Sequence, residues 1–413
     1  MPSGWHVWEQ LGRGPDNTRF NPDESVITPD TADALSEAWS SHVTSDLSEP
    51  ILTGGSLYTT VATPGAGRVR AYDAETGTIR WDEQLPAPRI PGTPGPVVLV
   101  DGALWVSYPG SGSAACASQL TRLDPRTGSV LSTETTGPPI LGPVVAAGKT
   151  VAYVTSAGCG QPARLVVRAT NSPTASWTYT FPANVLPGVP SIGHDKVLVS
   201  AEDEVHGFTL TGCGAASCPP VWTNDLDLDD GTAVNALDTR PVVSPDGTVY
   251  IGANVQGSET LVEALDAATG ARLWRTDLHP APGLGWQYFA VAHDQLYVSD
   301  HRTDSPNGAL EVFAAEGCGQ DVCPPTWSAA IDGLPVGGPT VGGDVLHVGL
   351  FTAAGSRFVA FDARGCGAAV CPLLGDVDFG AEQPVEASIA QGRIAVVAAG
   401  STGATLRVLA PDG

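Results

Sequence analysis

Residues 71–81 read Ala71-Tyr72-Asp73-Ala74-Glu75-Thr76-Gly77-Thr78-Ile79-Arg80-Trp81, and the chain returns to this phrase. Ala264-Leu265-Asp266-Ala267-Ala268-Thr269-Gly270-Ala271-Arg272-Leu273-Trp274 repeats it almost letter for letter. Thr121–Gly128 repeats it again, with Ser132 where the tryptophan falls due. An alternating strand ends in Asp, a Thr-Gly turn reverses it, and a short outer strand carries Trp four residues past the glycine. Glycine supplies the positive φ of the turn, and the indole gives the outer strand a large apolar anchor. Such a hairpin cannot bury its own faces, so its copies must stack on one another.

Aligned on the anchor, the copies give Trp39, Trp81, Ser132, Trp177, Trp222, Trp274, Trp327 and Gly375, at intervals of 42 to 53 residues. That is the period of one four-stranded propeller blade. The spacing predicts a single all-β, eight-bladed β-propeller over residues 33–413, with residues 1–32 a lead-in packed on it. Three strand-like runs follow Gly375, at Val385–Ile389, Ile394–Ala398 and Ala404–Leu409. Their missing fourth is the early run Ala38–Val43, so both ends of the chain are expected in one blade, which removes the open edges of a linear stack. Asp73, Asp124, Asp266 and Asp362 are expected to accept bonds from their own turns.

The formal net charge is −24, with only Lys149 and Lys196 as lysines. Such a field repels nucleic acid and anionic membranes, so neither is an expected partner. The same composition suits a high-GC, actinobacterial-like or salt-adapted genome. No apolar run reaches the ~18–20 residues of a membrane helix. The opening Met1-Pro2-Ser3-Gly4-Trp5 lacks the basic and apolar regions of a signal peptide, which leaves a cytosolic protein or a mature exported chain.

The eight cysteines bear on that choice. Cys213/Cys218, Cys318/Cys323 and Cys366/Cys371 share a Gly-Cys-Gly-x-x-x-Cys-Pro pattern and stand where other repeats have Asp-x-x-Thr-Gly. A disulfide closing each turn is the simplest account. Zinc is the rival, although the spacing is not C-x₂-C and no histidine lies nearby. Cys116 and Cys159 occupy matching places in consecutive repeats and are expected to pair. An even, paired set favours an oxidising compartment, hence export.

The lead-in reads Trp8-Glu9-Gln10-Leu11-Gly12-Arg13-Gly14-Pro15-Asp16-Asn17-Thr18-Arg19-Phe20-Asn21-Pro22, then Ile27-Thr28-Pro29, Leu35 and Ala38-Trp39. It resembles the N-terminus of the quinoprotein dehydrogenases and related PQQ-binding-like β-propellers, and Asp-x-x-Thr-Gly-x-x-x-Trp resembles their repeat. The resemblance implies a ligand site in an axial funnel, on the face built by outer-to-inner connections and middle loops. Candidates there for ligand binding are Glu49, Arg89, Tyr108, Asp203, Asn254 and Trp286. Those for catalysis are Asp238, Arg240, Tyr288, His301 and Glu382. For each, ordinary loop solvation is the competing account.

The resemblance also implies PQQ with Ca²⁺ or a lanthanide, a catalytic Asp in an Asp-x-Trp-Asp segment and often a vicinal Cys-Cys. This chain has no Cys-Cys and no C-x-x-C-H haem motif, and Gly285-Trp286-Gln287-Tyr288-Phe289 holds no carboxylate to serve as base. Asp225, Asp227 and Asp229 precede Gly231 in a run like a calcium loop, but the glycine is one place late and no Glu closes it. No Gly-x-Ser-x-Gly elbow is present. The expectation is an exported, monomeric, non-catalytic binding or scaffold propeller that takes a small molecule or protein at its funnel. The alternative is a small-molecule enzyme, either a divergent PQQ- and calcium-dependent oxidoreductase or a recruited biosynthetic propeller.

Overall fold

The computed structural model describes residues 7–63, 66–85, 94–109, 116–158, 160–174, 176–183, 185–226, 234–235, 240–255, 259–280, 287–300 and 307–412. Eight antiparallel sheets follow one another round an axis, making the eight-bladed β-propeller that the repeat period implies. Blade 1 runs from the axis outward as Ile51–Thr53, Ser56–Thr63, Ala66–Asp73 and Ile79–Gln84. The innermost strands of blades 2 to 7 are Val98–Val100, Ile140–Ala147, Ser191–Gly193, Val242–Val243, Gln287–Ala292 and Thr340–Gly342. Blade 8 closes the ring: Gln383–Ala390, Arg393–Gly400 and Gly403–Pro411 are completed by Leu35–Val43, with Glu37 opposite Leu409 and Trp39 opposite Val408.

The core lies between blades. Ile51, Tyr58 and Val69 of blade 1 pack with Val97, Leu104 and Val106 of blade 2. Leu198 and Trp222 of blade 4 pack with Val249 and Ile251 of blade 5. Second strands are therefore covered on both faces, and Lys196–Ala201 is buried from its second residue onward. Strands covered in this way read as apolar runs without a solvent-facing alternate.

The repeated Trp and Gly meet across the seams. Nε1 of Trp39, Trp81, Trp222 and Trp274 donates to the carbonyl oxygens of Ala74, Pro125, Ala267 and Ala315 in the following blade, at 3.1, 3.0, 3.0 and 3.3 Å. Each ring lies against the turn glycine of that next blade. A Cβ on Gly77 would stand 2.6 Å from the Trp39 ring, and one on Gly270 would stand 2.4 Å from Trp222. With φ near +70° and +74°, these glycines serve both the turn and the indole. Where Ser132 replaces the tryptophan, the facing turn of blade 3 (residues 170–174) has no glycine either. Gly375, which the repeat marks as a weak anchor, admits the 3₁₀ turn Ala32–Ala34: a Cβ there would stand 2.6 Å from Asp33 Cα.

Disulfides join Cys213–Cys218, Cys318–Cys323 and Cys366–Cys371, so zinc is not held at these turns. Cys116 is also disulfide-bonded, and Cys159 lies outside the described residues. The stapled loops do more than reverse the chain. Each lays a short parallel segment on the outer strand of the preceding blade. Thr178 of blade 3 donates to Ala216 O and accepts from Cys218 N, both at 2.9 Å. Arg275 meets Asp321 and Cys323 in the same way, and Ser328–Ala329 pairs with Val370–Cys371. The edges of blades 3, 5 and 6 are thereby covered.

Candidate functional site

Residues 8–21 thread the axis and fasten to the inner strand of every blade in order. Trp8 exchanges two main-chain bonds with Leu52 of blade 1, both 2.9 Å, and Glu9 O accepts from Leu99 N of blade 2 at 2.9 Å. In blade 3 the Gln10 side chain pairs with the Ala146 main chain. Carbonyls of Pro15, Asp16, Thr18 and Arg19 then accept from Ile192, Val243, Val291 and Val341 of blades 4 to 7, at 2.7 to 2.9 Å. Asn21 Nδ2 reaches Ile389 O of blade 8 at 2.8 Å. These contacts fall at the end of each inner strand, beside its turn into the second strand. The segment is thus a strap across the base of the channel, and the funnel face is the opposite end.

Above the strap lies a buried charged floor. Glu49, in the connection entering blade 1, accepts at Oε1 from Trp8 Nε1 and Gly12 N, each at 3.0 Å. Arg19 Nη2 stands 3.6 Å from Glu49 Oε2 and 3.0 Å from Glu386 Oε2, and Arg19 Nε donates to Pro339 O at 3.2 Å. The Glu49 side chain is 1% exposed and that of Glu386 is 30% exposed. Burial pushes the Glu49 carboxyl up to about 8; Arg19 opposes the shift and the neighbouring Glu386 carboxyl adds to it. Burial works against the Arg19 charge, and the two carboxyls more than restore it.

Arg240, entering blade 5, locks the strap from the other side. Its guanidinium donates to Leu11 O at 2.8 Å, to Pro15 O at 3.2 Å, to Asn17 Oδ1 at 3.3 Å and to Pro190 O at 3.1 Å. Burial lowers it to about 10, with Asp16 and Glu49 acting in the opposite sense. Asp16 is itself raised by burial.

Of the sequence candidates, Glu49, Arg240 and Tyr288 come together at this floor, Tyr288 standing beside Arg19. Tyr108 is buried in blade 2 with its hydroxyl 2.9 Å from Thr121 Oγ1, and Glu382 accepts from Thr405. Asp203 is exposed in the middle turn of blade 4, and Asp225 ends that blade's outer strand. Asn254 pairs in register with Asn235 and Thr260. Arg89, Asp227, Asp229, Asp238, Trp286 and His301 lie outside the described residues. Sequence reasoning missed Arg19, Asp16 and Glu386 as site residues. Glu386 had a signal, being an acid inside the otherwise apolar inner run of blade 8.

The described floor does not fit a calcium–quinone pair. Its deepest carboxyl already accepts at Oε1 from Trp8 and Gly12 and faces the Arg19 guanidinium, while Arg240 is engaged by carbonyls of the fold. No group of three His, Cys, Asp or Glu among the described residues stands as a metal-ligand set.

A family model described as "Outer membrane protein assembly factor BamB" matches residues 258–366. BamB from Moraxella catarrhalis is similar in structure at TM-score 0.61 and 17% identity, over 91% of this chain and 99% of that one. The quinohemoprotein alcohol dehydrogenase of Comamonas testosteroni matches at TM-score 0.70 and 12% identity, over 99% and 81%. A europium-containing methanol dehydrogenase matches at TM-score 0.69 and 13% identity, over 98% of both chains. No curated protein sequence matches. No helix among the described residues is long and apolar enough to cross a membrane. By repeat, blade count and strand order, this chain has an eight-bladed β-propeller fold similar to that of BamB and the quinoprotein dehydrogenases.

Proposed function

We propose that the protein is an exported, non-catalytic binding or scaffold propeller that holds a small molecule or a protein segment at its funnel face. The observation that carries this reading is the engagement of the floor: Arg240 and Arg19 are bonded to the strap, to blade carbonyls and to Glu386. A floor occupied by its own fold is a rigid platform for a binding surface above it. The disulfides support export, and the match to the assembly-factor family supports a protein partner. Adding PQQ with Ca²⁺ and recording absorbance and dye reduction with alcohols and sugars tests it. No bound chromophore and no turnover are expected; a quinone spectrum with substrate-dependent reduction would overturn it.

One observation favours the enzyme alternative. Glu49, its carboxyl pushed up to about 8 by burial, lies beside the partly exposed Glu386, as a proton-transfer group would. On that reading Glu49→Gln abolishes whatever turnover is found while Glu382→Gln spares it.

A further inference from the structure

A cavity lies on the base face, at the seam where blade 8 meets blade 1. It encloses about 250 Å³ and is lined in part by Arg393, Gln391, Arg80, Asp73 and Glu75. Arg80 is held in place, its guanidinium donating to Asp73 Oδ2 at 2.7 Å and to Ser56 Oγ. That pairing holds the Asp73 carboxyl well below the usual carboxylate range. Arg393, across the cavity, forms no ion pair among the described residues.

The repeat itself shows that this chemistry is not required by the fold. Arg393 opens the second strand of blade 8, opposite Ala390, and Arg80 precedes the anchor tryptophan of blade 1. The equivalent pairs are Ser56 and Leu131 at the next seam, Lys196 and Leu273 between blades 4 and 5, and Gln295 and Leu374 between blades 6 and 7. Only the closing seam carries arginine at both places.

We propose that this cavity binds a compact carboxylate that also bears an ammonium or hydroxyl donor, that is, an amino acid or small hydroxy acid. The ligand carboxylate takes the free Arg393 fork with the Gln391 amide beside it, a geometry arginine supplies in bidentate form. Its donor group faces Glu75 and the rim of the Asp73 turn. The cavity volume suits a ligand of this size and leaves no room for a nucleotide. The site is independent of the funnel, which opens at the other end of the axis.

Calorimetric titration of the whole protein with glycine, L-serine and lactate tests this, with acetate and inorganic phosphate as comparison probes. Saturable binding is expected, weakened about tenfold or more in Arg393→Ala, as loss of a charge-assisted pair implies. Glu386→Gln, at the funnel floor, is expected to bind as the parent does. Arg393→Gln, which keeps length and polarity, separates lost charge from lost folding and is expected to bind as weakly as Arg393→Ala with an unchanged melting temperature. Acetate binding as tightly as glycine would overturn the donor group. Absence of saturable binding by every probe, or binding unchanged in Arg393→Ala, would overturn the site.

Discussion

The side chain of Gln10 stands in for a strand residue against Ala146: its Nε2 donates to Ala146 O at 2.9 Å and its Oε1 accepts from Ala146 N at 3.0 Å. A side-chain amide thus completes, for blade 3, the contact that main chain makes in the two blades before it. Gln10→Ala leaves both buried groups of Ala146 unpaired and is expected to cost about 1–3 kcal/mol. Gln10→Glu is expected to be no better, because a carboxylate cannot donate to Ala146 O. Urea denaturation at constant m-value measures both.

Arg240→Ala tests whether the strap acts as one piece. Removing the guanidinium frees the carbonyls of Leu11 and Pro15 and the side chain of Asn17. Hydrogen exchange is expected to quicken together at Leu52, Leu99, Ile192, Val243, Val291 and Val341, the inner-strand amides that the strap covers. Faster exchange confined to Ile192 and Val243 would show that each blade holds its own part separately.

At the seams, Trp222→Ala removes a buried indole and is expected to cost about 3–5 kcal/mol. Gly270→Ala acts on the same contact from the other side, through a φ of +74° and a Cβ 2.4 Å from the ring. It is expected to destabilise as well, and the double variant to lose less than the sum of the two, because both remove one contact. Thermal melts of the four proteins form the cycle.

Glu49 and His347 give opposite pH signatures. The folded-state value of Glu49 is raised to about 8 from 4.5, so the native state keeps a proton that the unfolded chain releases. Its contribution is present below about pH 4.5 and is lost as pH rises towards 8. Glu49→Gln is expected to flatten that alkaline-side loss. His347 is fully buried against Phe358, with neither ring nitrogen bonded, and burial lowers it from 6.5 to about 3. The unfolded chain takes up its proton first, so stability falls as pH drops from 6.5 towards 3. His347→Phe is expected to remove this acid-side loss. Denaturation midpoints across the pH range read out both.

Cys213→Ser with Cys218→Ser opens a short loop, for which chain entropy alone gives about 2 kcal/mol. The informative readout lies in the neighbouring blade. Thr178, bonded to Ala216, is expected to lose amide protection although its own blade is untouched.

Blade number and ring closure were legible because they rest on chemistry that only particular residues supply. The turn needs glycine, the seam needs an indole, and the two recur at one period from Trp39 to Trp327. The paired loss of Trp at Ser132 and of Gly in the facing turn was visible too, but only contact across the seam makes them one event. The strap was illegible for the opposite reason. Its bonds are made by main-chain carbonyls of Glu9, Pro15, Asp16 and Thr18, which any residue would offer. The floor was half legible: Glu49, Arg240 and Tyr288 sit in connections or strand starts where polar residues invite notice. Arg19 and Glu386 pair across a sequence distance that no local pattern spans.

The strap also ties the first residues of the ring to its last blade. Asn21 and Glu24 complete their bonds on Ile389 and Gly392, in the last blade of the ring. The far end of the strap therefore has no resting place until blade 8 has taken shape, although Trp8 rests on blade 1. A chain moved through a narrow pore before folding loses nothing by this arrangement. One trimmed short of blade 8 would leave that end unsecured.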